Sequence, residues 1–512
     1  MVLALILIYM VATLLPLVAY PPSRLAAFLR DHTPGNLATK AIETGVHVSR
    51  KFHMKFLEHA ALAGLGVSVH IGTVIAGGFA AIAINRPAIP KAKARRALFV
   101  LVGGFAIISL LALGSAESLN IPTIITYLIA ATVFARASSD AGFGAFFEPD
   151  IKEGEMPLDA IRRSRRRFLR GTLAAVVGFV VGGLLVSKSR RSKVPVNASI
   201  VKADFPFEMP PAEVAFDKID GLSPEFTSND DFYNVDINII KPVVNHETWT
   251  LKIRGLVDDP YELDYRTMQT SFPVVEMAHT LSCISNEVGG DLISTSVWRG
   301  VRLKDVLQRA KVKDSAIELI FRAAEGYSDS ITIDKAMEDT TLLVFGMDSK
   351  PLPREHGFPA RLIVPGIYGM KNVKWLKEIE ATDQDYQGYW QVRGWSDVAR
   401  VKTQSRIDVP FDSARAAPDS KIAGIAWAGN RRIMNVEVSE DGGSTWRPAV
   451  LKRELSPVAW RLWAADIKPG RTGTRKVMVR ATDGEGSLQD PNSTKPHPNG
   501  ASGYDSAIFF VE

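Results

Sequence analysis

The 512-residue chain has one cysteine, Cys283, and nine histidines. A single thiol cannot close an internal disulfide, and it cannot supply a Cys-ligated iron–sulfur cluster or a Cys-rich zinc site. Excess charge is also lacking: the formal net charge is +6, much of it in two short clusters, Arg162–Arg170 and Lys188–Lys193. No base-reading module or aromatic stacking platform accompanies those clusters, so nucleic acid is not an expected partner. They flank one apolar run and read as membrane flanks. Paired charges inside apolar runs are missing too, which argues against a transporter. Beyond residue 190 long apolar runs disappear. The chain therefore divides into a membrane part and a water-soluble part.

A bilayer-spanning helix needs about 20 mostly apolar residues. Five segments qualify, near residues 2–20, 60–84, 98–116, 119–135 and 172–187, the last being the shortest. Glu117 and Ser118 form the turn of a hairpin between the third and fourth. The first span lacks a charged lead and a clear cleavage site, and so reads as a retained helix rather than a signal peptide. Before the fifth stands Ser164-Arg-Arg-Arg-Phe-Leu-Arg170, which looks like a twin-arginine export signal; a basic anchor holding a helix end inside would give the same orientation. Either reading puts the C-terminal half on the extracytoplasmic side of a multi-pass chain in the cell membrane. The basic loop Pro21–His59 fits the positive-inside rule poorly in that topology. Of His47, His53, His59 and His70, only His70 lies well inside a span, so a bis-histidine haem there is not expected; a quinone-facing or anchoring role is.

Residues 191–226 read as a linker. Strand signals then alternate with turns: Trp249–Gly255, Ser294–Trp298, Ile317–Phe321, Leu342–Phe345 and Ala360–Val364, with an amphipathic helix expected over Gly300–Leu307. This is mixed α+β. From residue 401, short strands at Ile422–Trp427, Ile433–Val438 and Val477–Ala481, with Asp441-Gly-Gly443 as a hairpin turn, suggest an immunoglobulin-like β-sandwich.

The informative stretch is His279-Thr-Leu-Ser-Cys283-Ile-Ser-Asn-Glu-Val-Gly-Gly-Asp-Leu-Ile-Ser-Thr-Ser-Val-Trp298-Arg-Gly-Val-Arg-Leu303. The cysteine stands where an apolar strand ends and a glycine-rich loop begins. A thiolate there is a good ligand for a soft metal. The pattern C-x-S-N-x-x-G-G-x-L-I-x-x-x-x-W-x-G-V-x-L resembles the core motif of the sulfite oxidase family of molybdopterin oxidoreductases. The resemblance implies that Cys283 binds molybdenum directly and is the catalytic centre. A second matching stretch runs Pro351-Leu-Pro-Arg-Glu-His356-Gly-Phe-Pro-Ala-Arg361, then on to Asn372-Val373-Lys374. It implies that His356, Arg361 and the segment Asn372, Val373, Lys374 hold the pterin and its phosphate. Arginine suits phosphate through bidentate contacts and lysine as a point charge. A looser match, Asp231-Phe-Tyr233-Asn234, implies that Tyr233 and Asn234 also touch the pterin.

The resulting expectation is multi-domain. A transmembrane α-helical region (1–190) and the linker lead to an α+β molybdopterin-binding domain (227–400). The sandwich (401–512) resembles the family's dimerisation domain, which implies a homodimer. The resemblance does not reach the membrane region. It implies a molybdenum–molybdopterin cofactor and oxygen-atom transfer on a sulfite-like or sulfoxide-like substrate, small or protein-borne, with electrons exchanged with an external carrier or a membrane quinone. Two departures bear on the substrate. Arginines that bind the anion in sulfite oxidases are replaced by Glu287 or Val288 in one place and by Asn234 or Val235 in another. A tyrosine of the family's site is expected to be Phe345 or Val344 here. Glu287 disfavours a dianion by Coulomb repulsion. A non-catalytic membrane receptor on a degenerate version of the fold is the alternative; the retained Cys283 speaks against it.

Overall fold

The computed structural model describes residues 198–512 apart from 212, 214–215, 217–218, 239–240, 418–419 and 468–471. The five expected spans and the twin-arginine-like motif lie outside the described residues. Among those described, no helix is long and apolar enough to cross a membrane. Residues 193–236 and 241–512 cluster as one compact unit.

Two sheets build its first half. The strands are β1 (Thr250–Gly255), β2 (Tyr261–Asp264), β3 (Val274–Ser282), β4 (Ile293–Arg302), β5 (Glu318–Ala323), β6 (Ser328–Thr332), β7 (Leu342–Met347), β8 (Lys350–Pro351), β9 (Arg361–Ile363) and β10 (Leu376–Thr382). One sheet has the order β2-β1-β10-β5-β6; the other is β3-β4-β7-β8, with β9 also paired to β7. Short helices α1 (Tyr265–Thr270), α2 (Leu303–Ala310) and α3 (Ile333–Ala336) cover them. Asp264 caps α1: its side chain accepts from the Thr267 backbone N–H and Thr267 answers at the Asp264 N–H, a reciprocal capping box. Trp298, Trp375, Phe321 and Phe345 are among the largest fully buried side chains.

The helix expected over Gly300–Leu307 begins three residues later, at Leu303. Gly300, Val301 and Arg302 stay in β4 because they pair with Val344, Leu343 and Leu342 of β7. Ladder pairing across the sheet outweighs the local helical period there.

The second half carries β11 (Gln404–Val409), β12 (Arg415–Ala416), β13 (Lys421–Trp427), β14 (Ile433–Ser439), β15 (Arg447–Pro448), β16 (Val450–Leu451), β17 (Arg461–Asp466), β18 (Gly473–Asp483) and β19 (Asp505–Val511). Their sheets have the orders β11-β13-β17-β16 and β12-β19-β18-β14-β15. Ile422 and Trp463 from one pack with Val436, Val477 and Phe509 from the other in a single core. The outer face of β13 packs elsewhere: Ala423, Ile425 and Trp427 join Ile284, Ile293 and Tyr368 of the first half. Burial at about 25 cal/mol per Å² of apolar surface makes this seam a firm one. It brings the second half against the two ends of the Cys283 loop.

Candidate functional site

Cys283 follows directly on the last residue of β3. The loop after it closes on itself: the Cys283 N–H donates to Leu292 O (2.9 Å), and the Leu292 N–H donates to Asn286 Oδ1 (2.9 Å). Inside this loop Cys283 Sγ lies 3.0 Å from Ser285 Oγ. The pair can bond with either group as donor; the thiolate is the form that binds a metal. The second half braces the loop from outside. Arg406 Nη1 donates to Gly290 O (3.0 Å) while its Nε bonds Asp408. Gly289 has a positive φ of 72°, and a Cβ there would lie 2.6 Å from Asp505 Oδ1, so only glycine lets the loop sit so close.

The other expected residues come together in one network. Tyr233 donates its N–H to Ser294 Oγ of β4 (3.0 Å). Next to it, Phe232 meets the rings of Trp298 and His356 edge-on, at 5.6 and 5.3 Å. Asn234 donates its amide to Glu355 O (3.1 Å) and accepts from Lys374 Nζ (3.1 Å). Lys374 also pairs with Asp236 (2.9 Å). His356 lies in a 3₁₀ turn, its Nε2 3.0 Å from Asn229 O. Arg361 donates to His356 O (3.2 Å) and Asn372 O (3.1 Å) and lies over the Trp298 ring. Asn372 bonds the Val364 N–H and Tyr368 O, and the buried Val373 accepts from Leu362 N–H. The network reaches Cys283 through Gly369: a Cβ there would stand 2.5 Å from Tyr233 Oη and 3.3 Å from Ser282 O.

The charges are unusual. Arg361 is buried, its Nε has no hydrogen-bond partner, and no carboxylate pairs with its guanidinium among the described residues. Burial lowers its pKa to about 10. Burial also lowers Lys374, against the pull of Asp236. A buried cation without a counter-ion is costly unless an anion joins it. The residues present therefore fit an anionic pterin phosphate beside Arg361 and a soft metal at Cys283.

One residue the sequence reading passed over stands in this region. His279 is fully buried and neither ring nitrogen has a partner. Strand alternation and the pairing of Met277 with Trp298 place His279 on the same sheet face as Trp298. Burial holds both His279 and His356 down at a pKa of about 3. Each is neutral in the fold and gains a proton on unfolding near its ordinary value of about 6.5. Their contribution to stability is thus complete above about pH 6.5 and is lost as pH falls towards 3. The loss is roughly 1.4 kcal/mol per pH unit for each histidine. His279→Leu is expected to remove half of this pH dependence and to be neutral or stabilising at pH 7, because it deletes an unsatisfied buried group. Urea unfolding at pH 7 and pH 5 checks both; an unchanged pH slope in the variant would refute the assignment.

The position expected to replace the family's tyrosine, Phe345 or Val344, falls in β7. Val344 and Phe345 are wholly buried in β7. The phenols within electrostatic reach of Cys283 belong to Tyr327 and Tyr368. Tyr327 precedes β6, far from β7 in sequence, and only the fold brings it near. Burial raises both phenols, Tyr368 to about 12, with the Cys283 charge adding to the effect.

Residues 238–390 match the family model described as the oxidoreductase molybdopterin binding domain, and residues 390–496 match the Mo-co oxidoreductase dimerisation domain. Mitochondrial sulfite oxidase of Mus musculus is 32% identical over 273 residues, 44% of this chain and 50% of that protein. Sulfite oxidase of Gallus gallus is 27% identical and covers 58% of this chain and 73% of its own. Nitrate reductase [NADH] 1 of Oryza sativa subsp. japonica is 28% identical over 46% of this chain and 33% of its own. The chain spans about half the length of the mammalian relatives it matches. Among solved structures, the sulfane dehydrogenase SoxCD from Paracoccus pantotrophus superimposes with a TM-score of 0.50, covering 57% of this chain and 84% of that one. At 23% identity this likeness shows the fold alone.

Proposed function

We propose that this chain, whose residues 238–390 and 390–496 are the molybdopterin-binding and dimerisation domains of the sulfite oxidase family, is a membrane-anchored oxygen-atom-transfer enzyme acting on a sulfur centre. The observation that carries the reading is the convergence on one region of the Cys283 thiol and the unpaired, buried Arg361 guanidinium. A molybdenum–molybdopterin cofactor bound there would supply a two-electron redox centre that gains or loses an oxygen atom. The protein's part is positional. Ser285 lies within hydrogen-bond distance of the sulfur. Arg361 and main-chain groups of the 369–374 segment would hold the anionic end of the cofactor, with Tyr233, Asn234 and His356 lining it. Arg406 braces the Cys283 loop at the Gly290 carbonyl.

Relatives named sulfite oxidase favour a sulfur substrate. Glu287 is exposed on the Cys283 loop, so the site suits a neutral oxygen donor such as a sulfoxide as well as it suits sulfite. Electrons then pass singly to an external carrier or a membrane quinone. The second half, immunoglobulin-like in its two-sheet plan, supports a homodimer through the matched dimerisation domain. The apolar segments before residue 190 and the motif at Ser164–Arg170 support an extracytoplasmic catalytic unit on a multi-pass anchor.

The test is turnover of sulfite and of methionine sulfoxide by the full chain in detergent, purified from cells that make the cofactor. Glu287→Arg is the diagnostic variant. Two units of positive charge on an exposed loop are worth about 1 kcal/mol towards a nearby anion. KM for sulfite should fall roughly five-fold, with KM for the sulfoxide unchanged. Turnover of neither compound would overturn the sulfur-substrate reading.

A further inference from the structure

Oxygen transfer from water to a substrate X follows X + H2O → XO + 2H⁺ + 2e⁻, and reduction of XO runs it backwards. The electrons pass to or from a one-electron carrier. The two protons must travel between the reacting atoms and water.

A continuous hydrogen-bonded chain leaves that region. Tyr327 Oη lies 3.0 Å from Asp329 Oδ2 and 2.8 Å from Met370 O. Asp329 Oδ1 accepts from Lys371 Nζ at 3.0 Å, and Lys371 Nζ also donates to Asp397 Oδ1 at 3.3 Å. Asp329 and Lys371 are buried, whereas the Asp397 side chain is 39% exposed. Beyond Asp397 the chain meets Glu318 and Asp385, whose carboxylate oxygens lie with it inside a 4.8 Å span. Buried charge at one end and a carboxylate cluster at the other is the layout of a conduit rather than of a simple ion pair. A structural role for Asp329 alone would need neither Tyr327 nor the carboxylate cluster.

The phenol supplies the switch. Tyr327 has one O–H proton and two acceptors, Asp329 Oδ2 and Met370 O. With Asp329 ionised, the phenol donates to it. With Asp329 protonated, the acid donates to the phenol oxygen and the phenol donates to Met370 O. Burial pushes Asp329 upward, opposed by Lys371. Other charged or titratable groups around the pair are Glu325, Tyr386, Tyr389 and Arg322.

Resting on the oxygen-transfer reading above, we propose that Tyr327, Asp329, Lys371 and Asp397 form a proton path from the Cys283 region to the carboxylate cluster of Glu318, Asp385 and Asp397, which reaches water at Asp385 and Asp397. A proton released at the reacting atoms is taken by the phenol oxygen as the phenol's own proton shifts to Asp329 Oδ2. Lys371 gives a proton to Asp397, and the neutral amine takes the one on Asp329 as that carboxyl turns about its terminal torsion, which is soft. Reduction of a substrate uses the same atoms in reverse.

The test uses the full chain in detergent with 3-fluorotyrosine at position 327. In cofactor-free protein the fluorine resonance is expected to move with pH through a midpoint above the ordinary aspartate value of about 3.9. That step should vanish in Asp329→Asn. A wild-type resonance without the step, or a step that persists in Asp329→Asn, overturns the path. In loaded protein, Asp329→Asn should lower kcat at least about ten-fold with KM and molybdenum content unchanged. Asp397→Asn, half-exposed and safer to fold, should lower kcat several-fold and be partly rescued by added imidazole. Full turnover in both variants overturns the path, as does loss of molybdenum in Asp329→Asn with full turnover in Asp397→Asn. A wild type that binds no molybdenum would sink the oxygen-transfer reading alone, because the fluorine titration reads the path without the cofactor.

Discussion

Cys283→Ala is expected to strip most molybdenum from the chain and reduce turnover below detection. Losing an outer-shell partner of a metal ligand typically costs 10- to 100-fold in affinity, so losing the ligand itself should cost at least about 100-fold. Cys283→Ser is the sharper variant. It keeps the size, and the loop's own hydrogen bonds from Cys283 N–H to Leu292 O and from Leu292 N–H to Asn286 Oδ1 do not involve the sulfur. It replaces a soft thiolate by a hard, poorly ionised hydroxyl. Both variants should unfold at the same denaturant concentration as wild type when free of cofactor. Mass-spectrometric metal analysis beside that unfolding curve separates lost ligation from lost folding. About one molybdenum per chain retained in both variants would show that Cys283 is not the ligand.

Arg361→Met should read the anion directly. In the cofactor-free chain two effects oppose each other. The variant leaves His356 O and Asn372 O without their donor, at about 1–3 kcal/mol each, yet removes a buried charge that no carboxylate balances. The net cost there should be about 1–3 kcal/mol. In the loaded chain that charge faces its anion, and the cost should rise to about 3–5 kcal/mol, the range for breaking a buried pair. Ligand binding stabilises by RT ln(1 + c/Kd) at free ligand concentration c, so the difference between loaded and free unfolding curves measures the coupling. An equal cost in both states would remove Arg361 from the anion site and leave it a packing residue over Trp298.

These two residues were legible without coordinates, and for a physical reason. Cys283 stands at a change of local pattern, from an apolar alternating strand to a glycine-rich loop, and both signals lie within ten residues. Arg361 sits in a dense run of proline, glycine and aromatic residues whose order is itself distinctive. The strand periods around them were legible too, because alternation is a local property of a half-buried sheet. The exception is instructive: Gly300–Arg302 carry a helical period yet join β4, since their partners in β7 lie about 42 residues further along.

What the sequence alone singled out is therefore the candidate centre: a cysteine at the head of a glycine-rich loop, and a second motif bearing arginine and lysine, whose roles follow from the family resemblance. What only the tertiary structure decided is everything that depends on distant residues meeting. It brought Tyr327 and Tyr368 within electrostatic reach of Cys283. It buried His279 without a partner, seated Gly289 on Asp505, and drew Asp329, Lys371 and Asp397 into one chain across 42 and 26 residues. No spacing encodes such meetings. A hydrogen bond between residues far apart in sequence is fixed by the packing of whole sheets, and its energy of about 1 kcal/mol is too small to leave a local trace.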